Sequence, residues 1–156
     1  MVRVLAAGTF DIIHLGHIKY LEEAKSMGDE LIVVVAHDNT VRRRKHEPIM
    51  PQEVRRRIVE SLKPVDRAVN GNDGDILEIV KEIKPDIIAL GYDQDFDENE
   101  LKRKLKEMGM DVKVVRCHKY TEGDLNGTRR IISRIAVKLA SKKLYGGKLD
   151  EGSGDS

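Results

Sequence analysis

Tryptophan is absent from this chain, and all aromatic residues together make up only 4% of it. A core must therefore be built from Ile, Val, Leu and Ala. There is a single cysteine, Cys117, which excludes an intrachain disulfide framework and fits a reducing compartment. No apolar run approaches the roughly 18–20 residues of a membrane span, and the N-terminus lacks a signal-peptide pattern. Neither sign of charge prevails: 28 Lys and Arg face 27 Asp and Glu, for a net charge of +1. That balance argues against a general nucleic-acid or membrane-surface binder. These absences predict a cytoplasmic protein that engages neither nucleic acid nor membrane, and in which any basic site is local. The abundance of Arg, Lys and Glu also suits a thermophile.

What is present is an alternation. The 156 residues suit one compact domain. Val2–Ala7, Leu31–Ala36, Arg67–Val69, Ile87–Leu90 and Val112–Val115 read as short strands. Between and after them, helical spacing runs through Ile18–Met27, Pro51–Leu62, Ile76–Ile83, Asn99–Met108 and Thr128–Leu144. Strands that are apolar throughout and alternate with helices imply a sheet covered on both faces. The expected fold is a single Rossmann-like, doubly wound α/β domain with a mainly parallel five-stranded sheet. It is expected to fill residues 1–145. The tail at 146–156, GGKLDEGSGDS, has almost nothing apolar to bury and is expected to be disordered.

In such sheets ligands sit beyond the carboxyl ends of the strands. The first strand runs straight into GTFDIIHLGH, residues 8–17. His17 falls in a first helical turn, where backbone N–H groups and the positive end of the helix dipole favour phosphate. Gly8 permits close backbone approach and Gly16 leaves room above the helix start. His14 and His17, at i and i+3, can face the same side and donate to phosphate oxygens whose charge grows in phosphoryl chemistry. One ring can instead be a satisfied structural histidine. A zinc site lacks the HExxH spacing and a third ligand nearby, and neither GxGxxG nor GxxxxGK[ST] occurs. Cys117 has no placed base partner, which argues against a nucleophilic role.

GTFDIIHLGH resembles the signature of the HxGH nucleotidyltransferase superfamily, in the form typical of its cytidylyltransferase-like branch. The resemblance covers about Val2 to Ser133. Within the branch, Gly91-Tyr92-Asp93-Gln94 with Phe96-Asp97-Glu98, and Leu62-Lys63-Pro64-Val65-Asp66, are most similar to the archaeal FAD synthases. The resemblance implies transfer of AMP from ATP to FMN, giving FAD and pyrophosphate by direct in-line attack on the α-phosphate. The alternatives are a cytidylyltransferase acting on CTP and a polyol phosphate such as glycerol 3-phosphate, and a nucleotide-binding module without turnover. It further implies Mg²⁺ with the triphosphate and a homodimer.

Position by position, the resemblance makes His14 and His17 the catalytic pair that contacts the triphosphate. Lys45, in the run Arg42–Lys45, becomes the residue of a basic loop that closes over the phosphates, with Arg44 as its neighbour in that role. Thr9, Phe10 and Asp11 are expected against the nucleotide, along with Asp93 and Arg116. Asn126, Thr128 and Arg129 are expected to meet the β- and γ-phosphates, although Gly127 stands where a hydroxyl residue is common. Asp38, Arg55 and Gln94 are expected to hold the acceptor. No protein metal ligand is expected.

Overall fold

The computed structural model describes residues 1–44, 46–121, 123, 125 and 127–142. The expectations placed on Lys45, Asn126 and the tail at 146–156 lie outside the described residues. In chain order the elements are β1 (Arg3–Gly8), α1 (Leu15–Ser26), β2 (Glu30–Val35), α2 (Asp38–Arg44), α3 (Gln52–Glu60), β3 (Arg67–Asn70), α4 (Ile76–Ile83), β4 (Ile87–Leu90), α5 (Glu98–Glu107), β5 (Lys113–Arg116) and α6 (Thr128–Ala140).

The five strands form one sheet in the order β3-β2-β1-β4-β5. Every pairing is parallel, so the sheet is wholly and not merely mainly parallel. Successive side chains on a strand point to opposite faces, and the buried residues divide accordingly. Val4 and Ala6 of β1, with Leu31, Val33 and Val35 of β2, pack with Leu21 and Ala24 of α1 and Val59 of α3. Leu5, Ile32, Val34 and Ile88 face the other way, against Ile79, Val80 and Ile83 of α4 and Leu101 and Leu105 of α5. Helices thus cover both faces.

The sequence expectation contained no helix at Asp38–Arg44. This segment has one buried residue, Val41, so it shows no apolar repeat to read. Helix α6 is the opposite case: its spacing was legible, yet none of its residues is buried. Ile132, Ile135 and Val137 are exposed along it.

The chain leaves β1 toward β2 and β3, then returns through α4 to β4 on the other side of β1. The order reverses between β1 and β4, and the carboxyl ends of those two strands flank the switch point where such folds bind ligands.

Candidate active site at the switch point

Gly8 ends β1, and the loop that follows is tightly held. Phe10 adopts a left-handed backbone with φ 54°, which is costly for a bulky residue and persists only where its surroundings fix it. Its ring is buried among the core residues beside α1, directly over Gly8. A Cβ at Gly8 would meet that ring at 2.9 Å, so only glycine fits. Phe10 therefore supports the loop from beneath, and only its backbone is left to face a ligand.

Helix α1 begins through His14, and its first turn carries no acidic residue. The rings of His14 and His17 stack, with centroids 3.7 Å apart, and Phe10 packs against His17 at 5.2 Å. His17 Nδ1 accepts the His14 backbone N–H at 3.3 Å. That bond places the neutral His17 proton on Nε2, as a donor. His14 Nδ1 is buried and has no hydrogen-bond partner among the described residues. Burial lowers the pKa of His14, and the nearby charge of Asp93 pulls it partly back up. The pair expected from the sequence is thus brought together, with Asp93 across the crevice from it.

Other expected site residues face inward. Asp11 is buried and accepts the Ile49 N–H at 2.7 Å and the Met50 N–H at 2.9 Å. Arg55 is fully buried, donating to the carbonyls of Met50 (2.9 Å) and Thr9 (2.8 Å) and to Asp38 Oδ1 (2.6 Å). These residues clamp the 9–11 loop to the 49–50 segment. Arg55 and Asp38, expected at an acceptor phosphate, bond here to each other and to the loop backbone.

Arg116, expected against the nucleotide, is held by a loop in the same way. Its guanidinium donates to the carbonyls of Gly91 (2.9 Å), Gln94 (2.8 Å) and Phe96 (2.8 Å) and to Glu98 (2.6 Å). It gathers the 91–98 loop. Gln94, expected at the acceptor, donates its amide to the Ala7 carbonyl and accepts the Gly91 N–H at 2.8 Å. Thr128 donates its hydroxyl to the Ile12 carbonyl at 3.2 Å, which ties the start of α6 to the β1–α1 loop. Arg129, in the first turn of α6, is exposed. Tyr92 is half exposed at the crevice mouth, with Lys119 over its ring at 5.3 Å.

The basic run is divided in use. Arg42 pairs with Glu47 and Arg43 with Asp73, while the Arg44 guanidinium lies 5.5 Å from the Phe96 ring centroid. The end of α2 thus reaches the 91–98 loop across the mouth of the crevice. Cys117 is buried, and burial with the charge of Glu23 pushes its thiol up to about 12, far from a nucleophilic thiolate. No group of three His, Cys, Asp or Glu side chains suited to a metal occurs among the described residues.

A stacked histidine pair thus sits at the start of α1, at the switch point of a parallel sheet. The cytidylyltransferase-like family matches residues 5–143. The chain belongs to that family. A relative from Aciduliprofundum boonei, named FAD synthase, is 58% identical over 139 residues, 89% of this chain and 93% of its own. Another, from Thermoplasma acidophilum and also named FAD synthase, is 53% identical over 91% of this chain and 99% of its own. A crystal structure from Thermoplasma volcanium, described as a lipopolysaccharide core biosynthesis protein, is 54% identical. It superposes with a TM-score of 0.76 over 78% of this chain and 99% of that one. A pantoate-beta-alanine ligase from Francisella tularensis, at 17% identity and a TM-score of 0.57, shares the fold alone.

Sequence reasoning missed Tyr20, one turn after His17. Its hydroxyl donates to the Ala89 carbonyl at 2.6 Å and accepts the Ala7 N–H at 3.2 Å. The signal was faint: a tyrosine on the apolar side of α1, three residues beyond the motif histidine.

Proposed function

We propose that this protein is an FMN adenylyltransferase, joining ATP and FMN to give FAD and pyrophosphate. The observation that carries the substrate pair is the similarity to relatives named FAD synthase over about nine-tenths of the chain. The chemistry is supported by the histidine pair.

An oxygen of the FMN phosphate attacks the ATP α-phosphorus, the new O–Pα bond forms, and the bond from Pα to the bridging oxygen of the β-phosphate breaks. No protein nucleophile is required, so catalysis is positioning plus charge stabilisation. His17, held with its proton on Nε2, donates to the phosphate oxygens. His14 is neutral in the free site because burial disfavours its charge, and a bound polyphosphate favours its protonation. The starts of α1 and α6, joined through Thr128 and Ile12, supply N–H groups on either side of the phosphates. Asp93 accepts from the ribose hydroxyls, and Lys45 with Arg44 closes over the triphosphate. ATP enters as its Mg²⁺ complex. The apolar residues exposed on α6 support a homodimer, and the single buried cysteine supports a cytoplasmic setting. No described helix is long and apolar enough to cross a membrane.

The test is a product assay with Mg²⁺ in which FMN with ATP and glycerol 3-phosphate with CTP run in parallel. FAD and pyrophosphate in the first tube alone are expected. CDP-glycerol in the second would replace the substrate pair and leave the histidine chemistry standing. Nucleotide binding without pyrophosphate release would select the binding-module alternative. His14→Ala or His17→Ala should lower turnover by roughly 10²–10³ with the fold intact, and full activity in either variant would remove that residue from catalysis.

A further inference from the structure

We propose that Tyr20 and Gln94 act as a graduated wedge between β1 and β4, setting the width of the crevice in which the nucleotide sits. This makes both of them positioning residues, and it rests on reading the switch point as the nucleotide seat.

β1 and β4 pair at Val4↔Ile87, Leu5↔Ile88 and Ala6↔Ala89, and the pairing stops there. On their outer sides both strands continue: Ala7 and Gly8 stay with Val34 and Val35 of β2, and Leu90 stays with Arg116 of β5. The sheet therefore splits along one seam only. At the last rung the Tyr20 hydroxyl lies between the two backbones, bonded to Ala89 O at 2.6 Å and to the Ala7 N–H at 3.2 Å. At the next rung a parallel ladder would carry the Gly91 N–H to the Ala7 carbonyl. Here the Gln94 amide stands in that path, accepting from Gly91 with Oε1 and donating to Ala7 O with Nε2.

One oxygen thus spans the first gap and a whole amide the second. On this proposal the strands part toward their carboxyl ends, while the Ala7 N–H and carbonyl, the Ala89 carbonyl and the Gly91 N–H all keep partners. The wedge is itself braced. Arg116 holds the Gln94 carbonyl at 2.8 Å, and Gly91 lies so close that a Cβ there would meet the Gln94 side chain at 3.2 Å. Tyr20 is fixed by its place on α1, one turn beyond His17. Burial raises the pKa of its hydroxyl, which keeps it a donor. Gly8 and the histidine pair follow directly from Ala7, so the separation at this seam determines where they stand relative to Asp93.

Gln94→Ala gives a result that a merely structural role would not. With the amide gone, the Gly91 N–H can reach Ala7 O directly and complete the rung. Stability against urea should then be unchanged or higher, while kcat/KM for ATP falls by roughly 10–10², the scale of a small misplacement of reacting groups. Tyr20→Phe keeps the ring and removes the hydroxyl, and should show the same split to a smaller degree. Calorimetric titration of Mg·ATP into wild type, His14→Ala, Gln94→Ala and Tyr20→Phe separates this claim from the functional reading. Wild type that binds Mg·ATP but makes no FAD overturns the adenylyltransferase reading and leaves the wedge readable in binding. Wild-type ATP affinity and KM in both wedge variants, or a fall in kcat and stability with ATP affinity unmoved, overturns the wedge. A wild type that binds no nucleotide overturns both.

Discussion

Two arginines flank the crevice, and each holds loops together. On the β1 side, Arg55 gathers the carbonyls of Thr9 and Met50 and pairs with Asp38. On the β4 side, Arg116 gathers the carbonyls of Gly91, Gln94 and Phe96 and pairs with Glu98. The rigid fork of guanidinium suits this work, because it satisfies several carbonyls in one plane. The difference is burial. The Arg55 side chain is 0% exposed and that of Arg116 is 26% exposed. Losing the first leaves Asp38 and two loop segments, at Thr9 and Met50, without their common partner inside the protein. Losing the second lets water reach the carbonyls it leaves. One device therefore serves two ends: fold integrity on the β1 side, and loop geometry on the β4 side.

The largest expected effect breaks the buried member. Arg55→Ala should cost about 3–5 kcal/mol, the range for removing one partner of a buried charge pair, read as a shift in urea denaturation. Arg55→Lys should not restore it, because an ammonium cannot reach Thr9, Met50 and Asp38 in one plane. Arg116→Ala should cost less, about 1–3 kcal/mol, and should instead raise the KM for ATP by loosening the loop that carries Asp93 and Gln94. Equal stability losses in the two variants would erase the distinction.

The pattern of legibility follows the same division. The strands were readable chiefly because β1, β2 and β4 carry apolar runs that are local facts of sequence, and the histidine pair was readable because its spacing is local too. The roles of Arg55, Arg116 and Gln94 were not. Each lies at the expected edge of the sheet, but its direction is decided by partners far along the chain, such as Thr9, 46 residues from Arg55, and Ala7, 87 from Gln94. A basic residue beside a phosphate site looks the same in sequence whether it faces the phosphate or the backbone. Tyr20 was hidden for a related reason, since its ring belongs to the core and only its hydroxyl belongs to the seam. Helix α2 was hidden because a single buried valine makes no periodicity.

Glycines sharpen the comparison at smaller cost. Gly8 on the β1 side lies under the Phe10 ring at 2.9 Å, and that ring is locked in the core. Gly91 on the β4 side faces the Gln94 side chain at 3.2 Å, a looser fit than the 2.9 Å at Gly8. Gly8→Ala should therefore destabilise by about 1–3 kcal/mol, as overpacking does, and should lower turnover by shifting the loop before His14. Gly91→Ala should cost under about 1 kcal/mol. Thermal midpoints of the two variants measure the contrast, and a larger loss at Gly91 would reverse it.

The smallest expected effect is electrostatic and joins the two sides. Burial on the β1 side lowers the pKa of His14, while Asp93 from the β4 side raises it, and burial prevails. The folded-state value thus lies below the unfolded value near 6.5. Between those two values the unfolded chain binds more protons than the folded one, so stability should fall as pH drops below about 6.5 and level off beneath the folded-state pKa. Asp93→Asn removes the opposing charge and should carry this loss further down in pH, whereas His14→Gln should abolish His14's share of it. Urea denaturation of the three proteins from pH 7.5 down to 5 measures the difference. A wild-type curve that matches His14→Gln across that range would mean that the ring's burial has no hold on its proton. A match between wild type and Asp93→Asn would mean that the charge across the crevice does not reach it.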